Sequence, residues 1–157
     1  MNNFSNHKLV LRQAQINAAN YFFWIAALSV VNTVLILSNA KFTFAFSLGI
    51  VDLVSYGSPD KTIAIVFTAV MAAIFAGLGL AARTGNAAVF ITGMTLYALD
   101  AILLIFLQDW IGIAVHAYIL FRLFQGVKYS FAMKKIVQQE EAEMRRQRIE
   151  AARSGQQ

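Results

Sequence analysis

The chain has no cysteine, so disulfides, thiolate nucleophiles and cysteine metal ligands are excluded, and nothing can be inferred about redox compartment. It has one proline in 157 residues, Pro59, so almost nothing in its length forbids helix. Charge is also scarce. Asp, Glu, Lys and Arg make up 13% of the residues, roughly half of the ~25% usual in soluble domains. A soluble protein with so little charge would lack the polar surface that keeps it in solution. The catalytic signatures are missing as well. There is no G-x-S-x-G elbow, P-loop, H-E-x-x-H pair or dinucleotide fingerprint.

What is present is apolar: 59% of the residues are hydrophobic. They fall into long runs. Residues 62–82 contain no charge at all. Residues 87–107 are interrupted by Asp100 alone, and residues 111–131 contain His116, Arg122 and Lys128. The run 21–37 opens with Tyr21, Phe22, Phe23 and Trp24, an aromatic belt of the kind found at a membrane interface. With residues 18–20 included it is long enough to cross a hydrocarbon core of ~30 Å at ~1.5 Å per residue. The segment 42–56 is apolar but short, holds Asp52, and runs into the loop signal Gly57-Ser58-Pro59-Asp60-Lys61. Its length suits an interfacial or re-entrant segment better than a span. Arg83-Thr84-Gly85-Asn86 and Gln108-Asp109-Trp110 are tight polar connections.

These runs predict an all-α fold: a four-helix transmembrane bundle over residues 1–131, with spans at about 18–37, 62–82, 87–107 and 111–131. The interfacial or re-entrant segment 42–56 lies between the first two helices. Residues 132–157 form a charged tail read as a cytosolic C-terminal helix, with Glu141–Arg145 and Glu143–Arg146 at ion-pair spacing. Four spans put both termini on one side. That side then carries Lys8, Arg12, Arg83 and the seven Lys and Arg from Lys128 onward, against Lys41 and Lys61 on the other. The positive-inside rule makes the richer side cytoplasmic, in a cell (inner) membrane. The pI of 9.8 follows from these flanks, and nucleic acid is not an expected partner. A competing reading cleaves a leader after Ser38-Asn39-Ala40, but the apolar run exceeds the ~7–15 residues of a signal core.

Polar residues at membrane depth are costly and each needs an account. Asp100 lies seven residues before Leu107, and His116 five residues after Ile111. The three-residue connection makes their helices antiparallel neighbours, so both lie about 8–10 Å below the same surface. Asn32 reaches that depth from the first span, on one face with Ser29 and Thr33, and Asp52 belongs to the short outer segment. Asp100, His116, Asn32 and Asp52 form a candidate intramembrane polar cluster. It is either a hydrogen-bonded clasp between helices or a small cavity where Asp100 and His116 handle a proton or ion. No metal or cofactor is expected, since one imidazole and one carboxylate fall short of a zinc set and His7 lies at the other end. Arg122 is expected to snorkel toward the cytosolic headgroups, which Lys128, Lys134 and Lys135 also contact. Ala69, Ala73, Gly77 and Ala81 recur every four residues, a small-residue ridge expected to pack inside the bundle or, alternatively, to face a second copy.

Tyr97-Ala98-Leu99-Asp100 and the stretch from Gln108-Asp109-Trp110-Ile111-Gly112 to His116-Ala117 resemble a pattern in small multi-pass bacterial membrane proteins. The likeness extends to Trp24–Asn32 and to Phe46-Ser47-Leu48-Gly49. It covers most of the bundle and neither tail, and it implies a bacterial inner-membrane setting without any chemistry. The function expected is therefore non-enzymatic: a structural, accessory or partner-docking membrane protein. The alternative is a small oligomeric transporter or channel subunit built around Asp100 and His116. The bilayer, a homo-oligomer, and a membrane or cytosolic protein are the partners this leaves open.

Overall fold

The computed structural model describes residues 2–40 and 48–154, with side chains from residue 5. Among the described residues 90% are helical, in five α-helices, and none is in a strand. Residues 41–47, which include Lys41, the start of the segment 42–56 and the Phe46-Ser47 pair, lie outside the described residues.

Helix α1 runs over Asn2–Leu37. It contains neither Gly nor Pro, so nothing interrupts it between its polar and apolar parts. At ~1.5 Å per residue it is about 54 Å long, well beyond a hydrocarbon core. It ends on Asn39, which takes the left-handed conformation (φ 57°). There Ala40 N–H donates to Leu35 C=O and Asn39 N–H to Ile36 C=O, which satisfies the last carbonyls. Helix α2, Gly49–Gly57, is nine residues, about 14 Å and half a bilayer core. Helix α3, Lys61–Ala82, starts on Asp60, whose side chain accepts from Thr62 N–H. Helix α4, Ala87–Phe106, starts on Asn86 in the same way, with Ala88 N–H as donor. Helix α5, Trp110–Ser154, begins where Asp109 accepts from Gly112 N–H at 2.9 Å.

Cross-helix contacts give the directions. Lys8 pairs with Glu140, Gln15 meets Ser130 and Tyr21 meets Tyr118, so α1 and α5 are antiparallel. Arg83 bonds Asn20 while Thr68 bonds Thr33, so α3 is antiparallel to α1. The start of α1 and the end of α5 therefore lie at one end of the bundle, here the terminal end. The end of α1 and the α2–α3 and α4–α5 connections lie at the other, here the α2 end.

An aromatic chain fills the centre. The Phe22 ring lies 5.9 Å from Phe90 and 6.3 Å from Phe75, and Phe75 lies edge-on to Tyr97. Glycines make the room: a Cβ on Gly93 would strike Phe22, and one on Gly126 would strike Phe90. The outside is apolar too. Val66, Leu99 and Phe121 are 57%, 58% and 58% exposed, each on a different helix. α1, α3, α4 and α5 are each long and apolar enough to cross a membrane, and α2 is not.

Three expectations need correction. Ala69, Ala73 and Gly77 are exposed and Ala81 half-buried, with nothing within 4 Å of a Cβ on Gly77. The small-residue ridge therefore points away from the bundle, because α3 turns Ala64, Thr68, Phe75, Gly79 and Ala82 inward instead. The tail is not a separate helix, since α5 passes through residues 131 and 132 without a break. Glu141–Arg145 and Glu143–Arg146 do not form ion pairs within 4 Å; residues 141–154 are all exposed, where such pairs gain little over hydration.

Candidate functional site: a polar cluster around the start of α2

Helix α2 lacks a cap of its own. Leu48 precedes it, and a leucine side chain accepts nothing. The first amides of a helix have no intrahelical partner and cannot be left bare in an apolar interior. Here other helices supply the acceptors. Ser29 Oγ on α1 accepts from Leu48 N–H at 3.0 Å while donating to Ile25 C=O. Asp100 on α4 accepts from Gly49 N–H at 2.8 Å through Oδ2 and from Ile50 N–H at 2.9 Å through Oδ1. A carboxylate against a helix N-terminus is also favoured by the helix dipole. Gly49 also lets α2 approach α4 closely, since a Cβ there would press on the end of the Leu104 side chain.

Asp100 makes a third contact. His116 Nε2 on α5 lies 2.9 Å from Oδ2, and the other ring nitrogen, Nδ1, lies 2.9 Å from Gly112 C=O. A carbonyl only accepts, so Nδ1 carries a proton. Two lone pairs cannot face each other, so a second proton lies between Nε2 and Oδ2. The pair is therefore imidazolium with carboxylate, or imidazole with carboxylic acid, and has no net charge in either form. The side chains are 0% and 4% exposed. Tyr97 stacks on the imidazole at 4.1 Å and 7°. The Tyr97 hydroxyl is buried and has no hydrogen-bond partner among the described residues.

A second group lies along the other side of α2. Asn32 Nδ2 donates to Asp52 Oδ2 at 3.2 Å. Thr68 donates to Ala64 C=O, which leaves its oxygen to accept from Thr33 at 2.7 Å, and Thr33 in turn faces Ser55 at 3.3 Å. The structure thus brings Asp100 to His116 and Asn32 to Asp52, as two pairs on either side of α2. Ser55, Thr68, Tyr97 and the α2 amides belong to the cluster and were absent from the sequence-based set. Tyr97 precedes Asp100 by three residues, a spacing that places the two on one helical face.

The basic candidates lie elsewhere. Arg122 is half-buried, with its guanidinium 5.3 Å from the centre of the Tyr21 ring on α1. Lys128, Lys134 and Lys135 are exposed on α5, and Lys128 also covers the Phe124 ring at 5.8 Å. Among the described residues no group of three His, Cys, Asp or Glu could hold a metal ion. No protein-family model, curated protein or solved structure matches the chain. The resemblance to small multi-pass bacterial membrane proteins thus gains no support from these comparisons.

Proposed function

We propose that this chain is a multi-pass membrane protein with both termini in the cytoplasm of a bacterial cell, acting as a non-enzymatic structural, accessory or docking component. In this reading α2 is a re-entrant segment dipping into the outer half of the bilayer, and Asp100 and His116 are the clasp that holds it. The observation that carries the reading is internal partnering. Each oxygen of Asp100 and each nitrogen of His116 has a partner within the bundle, and two of those partners are the first amides of α2. The pair thereby ties three helices together, which is what a clasp requires. The apolar exposed faces of four long helices support the membrane setting. Orientation rests on basic residues: Lys8, Arg12, Arg83 and the α5 tail gather at the terminal end, while Lys61 is at the α2 end.

Single cysteines at Ser58 and Asn86 test the topology with an impermeant thiol reagent on intact cells. Ser58 is expected to label from outside and Asn86 only after permeabilisation; the reverse pattern would invert the protein.

One observation favours the transport reading. Asp100 lines a cleft of about 290 Å³ with Leu48, Met71, Phe75 and Leu99 among its walls. Proton flux into proteoliposomes, abolished by Asp100→Asn in a folded protein, would make the pair a relay; absence of flux in the wild type leaves the clasp.

A further inference from the structure

At the terminal end a second, larger cavity of about 590 Å³ opens between α1, the α3–α4 turn and α5. Its size is that of a small-ligand site. Arg12 enters it from α1 and Lys134 from α5, and no Asp or Glu lines it. Neither cation has a carboxylate within 4 Å among the described residues. Lys8 nearby is neutralised by Glu140, whereas Arg12 has only a long 3.5 Å bond to Gln15 Oε1. Ala87 and Ala88, the first residues of the 20-residue α4, complete the charged side. The partial positive charge of that helix end adds to the two cations.

The floor is built rather than accidental. Gln15 is buried and donates to Ser130 Oγ at 2.8 Å, and Ser130 in turn donates to Gly126 C=O. Gly85 sits against the Gln15 amide with φ 97°, a conformation that side chains resist, so this wall of the cavity calls for glycine. One helical turn further into the bundle the lining is apolar, with Ile91 on α4 and Phe131 on α5 about half exposed. Cations toward the terminal end and apolar surface a turn deeper match an amphiphile.

We infer that this cleft binds a phosphate ester anion, with the headgroup phosphate of an anionic phospholipid as its natural source. The phosphate meets Arg12, Lys134 and the start of α4, and the acyl chains leave along Ile91 and Phe131. The inference rests on the membrane reading above and adds a defined site to the general attraction between basic flanks and anionic lipid.

The test uses the full chain purified in neutral detergent and supplied with phosphatidylglycerol, phosphatidylcholine or inorganic phosphate. Bound lipid is counted by native mass spectrometry. Phosphatidylglycerol should be retained over phosphatidylcholine. The double variant Arg12→Gln/Lys134→Gln should lower its retention by about tenfold or more, while Lys135→Gln, outside the cavity, changes it by less than about twofold. Ala88→Leu fills the cavity without changing charge and should also abolish retention, which decides the matter if the double variant fails to fold. Displacement of the lipid by inorganic phosphate at low concentration would keep the phosphate site but make a soluble ester its source. Equal retention of the two lipids, or an equal loss with Lys135→Gln, would overturn the site. An inverted cysteine-labelling pattern would overturn the topology while leaving the retention result standing.

Discussion

Seven buried polar side chains, Ser29, Asn32, Thr33, Ser55, Thr68, Asp100 and His116, gather toward the α2 end, against Gln15 and Ser130 at the terminal end. Toward the terminal end the helices are held by phenylalanines set into glycine gaps, Phe22 on Gly93, Phe23 on Gly79 and Phe90 on Gly126. The difference has a cause in chain length. α1 and α5 are both longer than a hydrocarbon core is thick and pack along each other, with their backbones satisfied within each helix. α2 is too short to span and must begin inside the bundle, where bare amides are costly. The polar side chains follow from that start.

The largest expected effect removes the borrowed cap. Asp100→Ala strands two backbone amides and an imidazole, a loss of about 3–5 kcal/mol for a broken buried pair. Unfolding in bicelles measures it. A double-mutant cycle of Asp100→Asn with His116→Gln should give a coupling above the ~0.6 kcal/mol average for polar contacts in membrane bundles. Zero coupling would mean that the α2 end, too, is held by packing alone, and the contrast between the ends would be lost.

How much of this could be read from residues alone differs between the same two ends. The three-residue link at Gln108–Trp110 already set Asp100 and His116 at equal depth on neighbouring helices, because helical rise is constant. The remaining partners of Asp100 were hidden, since they are the backbone amides of Gly49 and Ile50, which carry no side-chain signature. The facing of α3 was also hidden. Ala69, Ala73, Gly77 and Ala81 and the inward set Thr68, Phe75, Gly79 and Ala82 share one uniformly apolar run, and hydropathy does not separate an interior from a lipid-facing side. The extension of α1 back to Asn2 was hidden as well, because polarity, which ends a membrane span, does not end a helix.

Packing at glycines gives the next largest effects and separates the two faces of the ridge question. Gly93→Ala and Gly126→Ala each push a methyl into a fully buried ring and should cost about 1–3 kcal/mol. Gly77→Ala meets open space. In a monomer it should be neutral or raise stability by up to about 1 kcal/mol through helix propensity. Thermal unfolding in detergent ranks the three. If Gly77→Ala is as damaging as Gly93→Ala and lowers the population of dimers in crosslinking, the outward ridge is a contact between copies.

The smallest effect sharpens the contrast between a borrowed cap and a local one. Asp60 caps α3 from the adjoining loop, in full contact with water, and the Thr62 N–H holds its carboxyl below the usual carboxylate range. A carboxyl lowered on folding contributes stability above its ordinary range and loses it as pH falls through the lowered value. The deficit of Asp60→Ala should therefore be small near neutrality, shrink in acid, and weaken further with salt, which screens exposed charge. Melting curves of wild type and Asp60→Ala, taken from neutral pH down into acid, measure it. The Asp100 deficit should persist in salt, because its partners are buried amides and an imidazole that ions do not reach. Equal salt sensitivity at the two positions would place Asp100 in contact with solvent and open the α2 end to the outside.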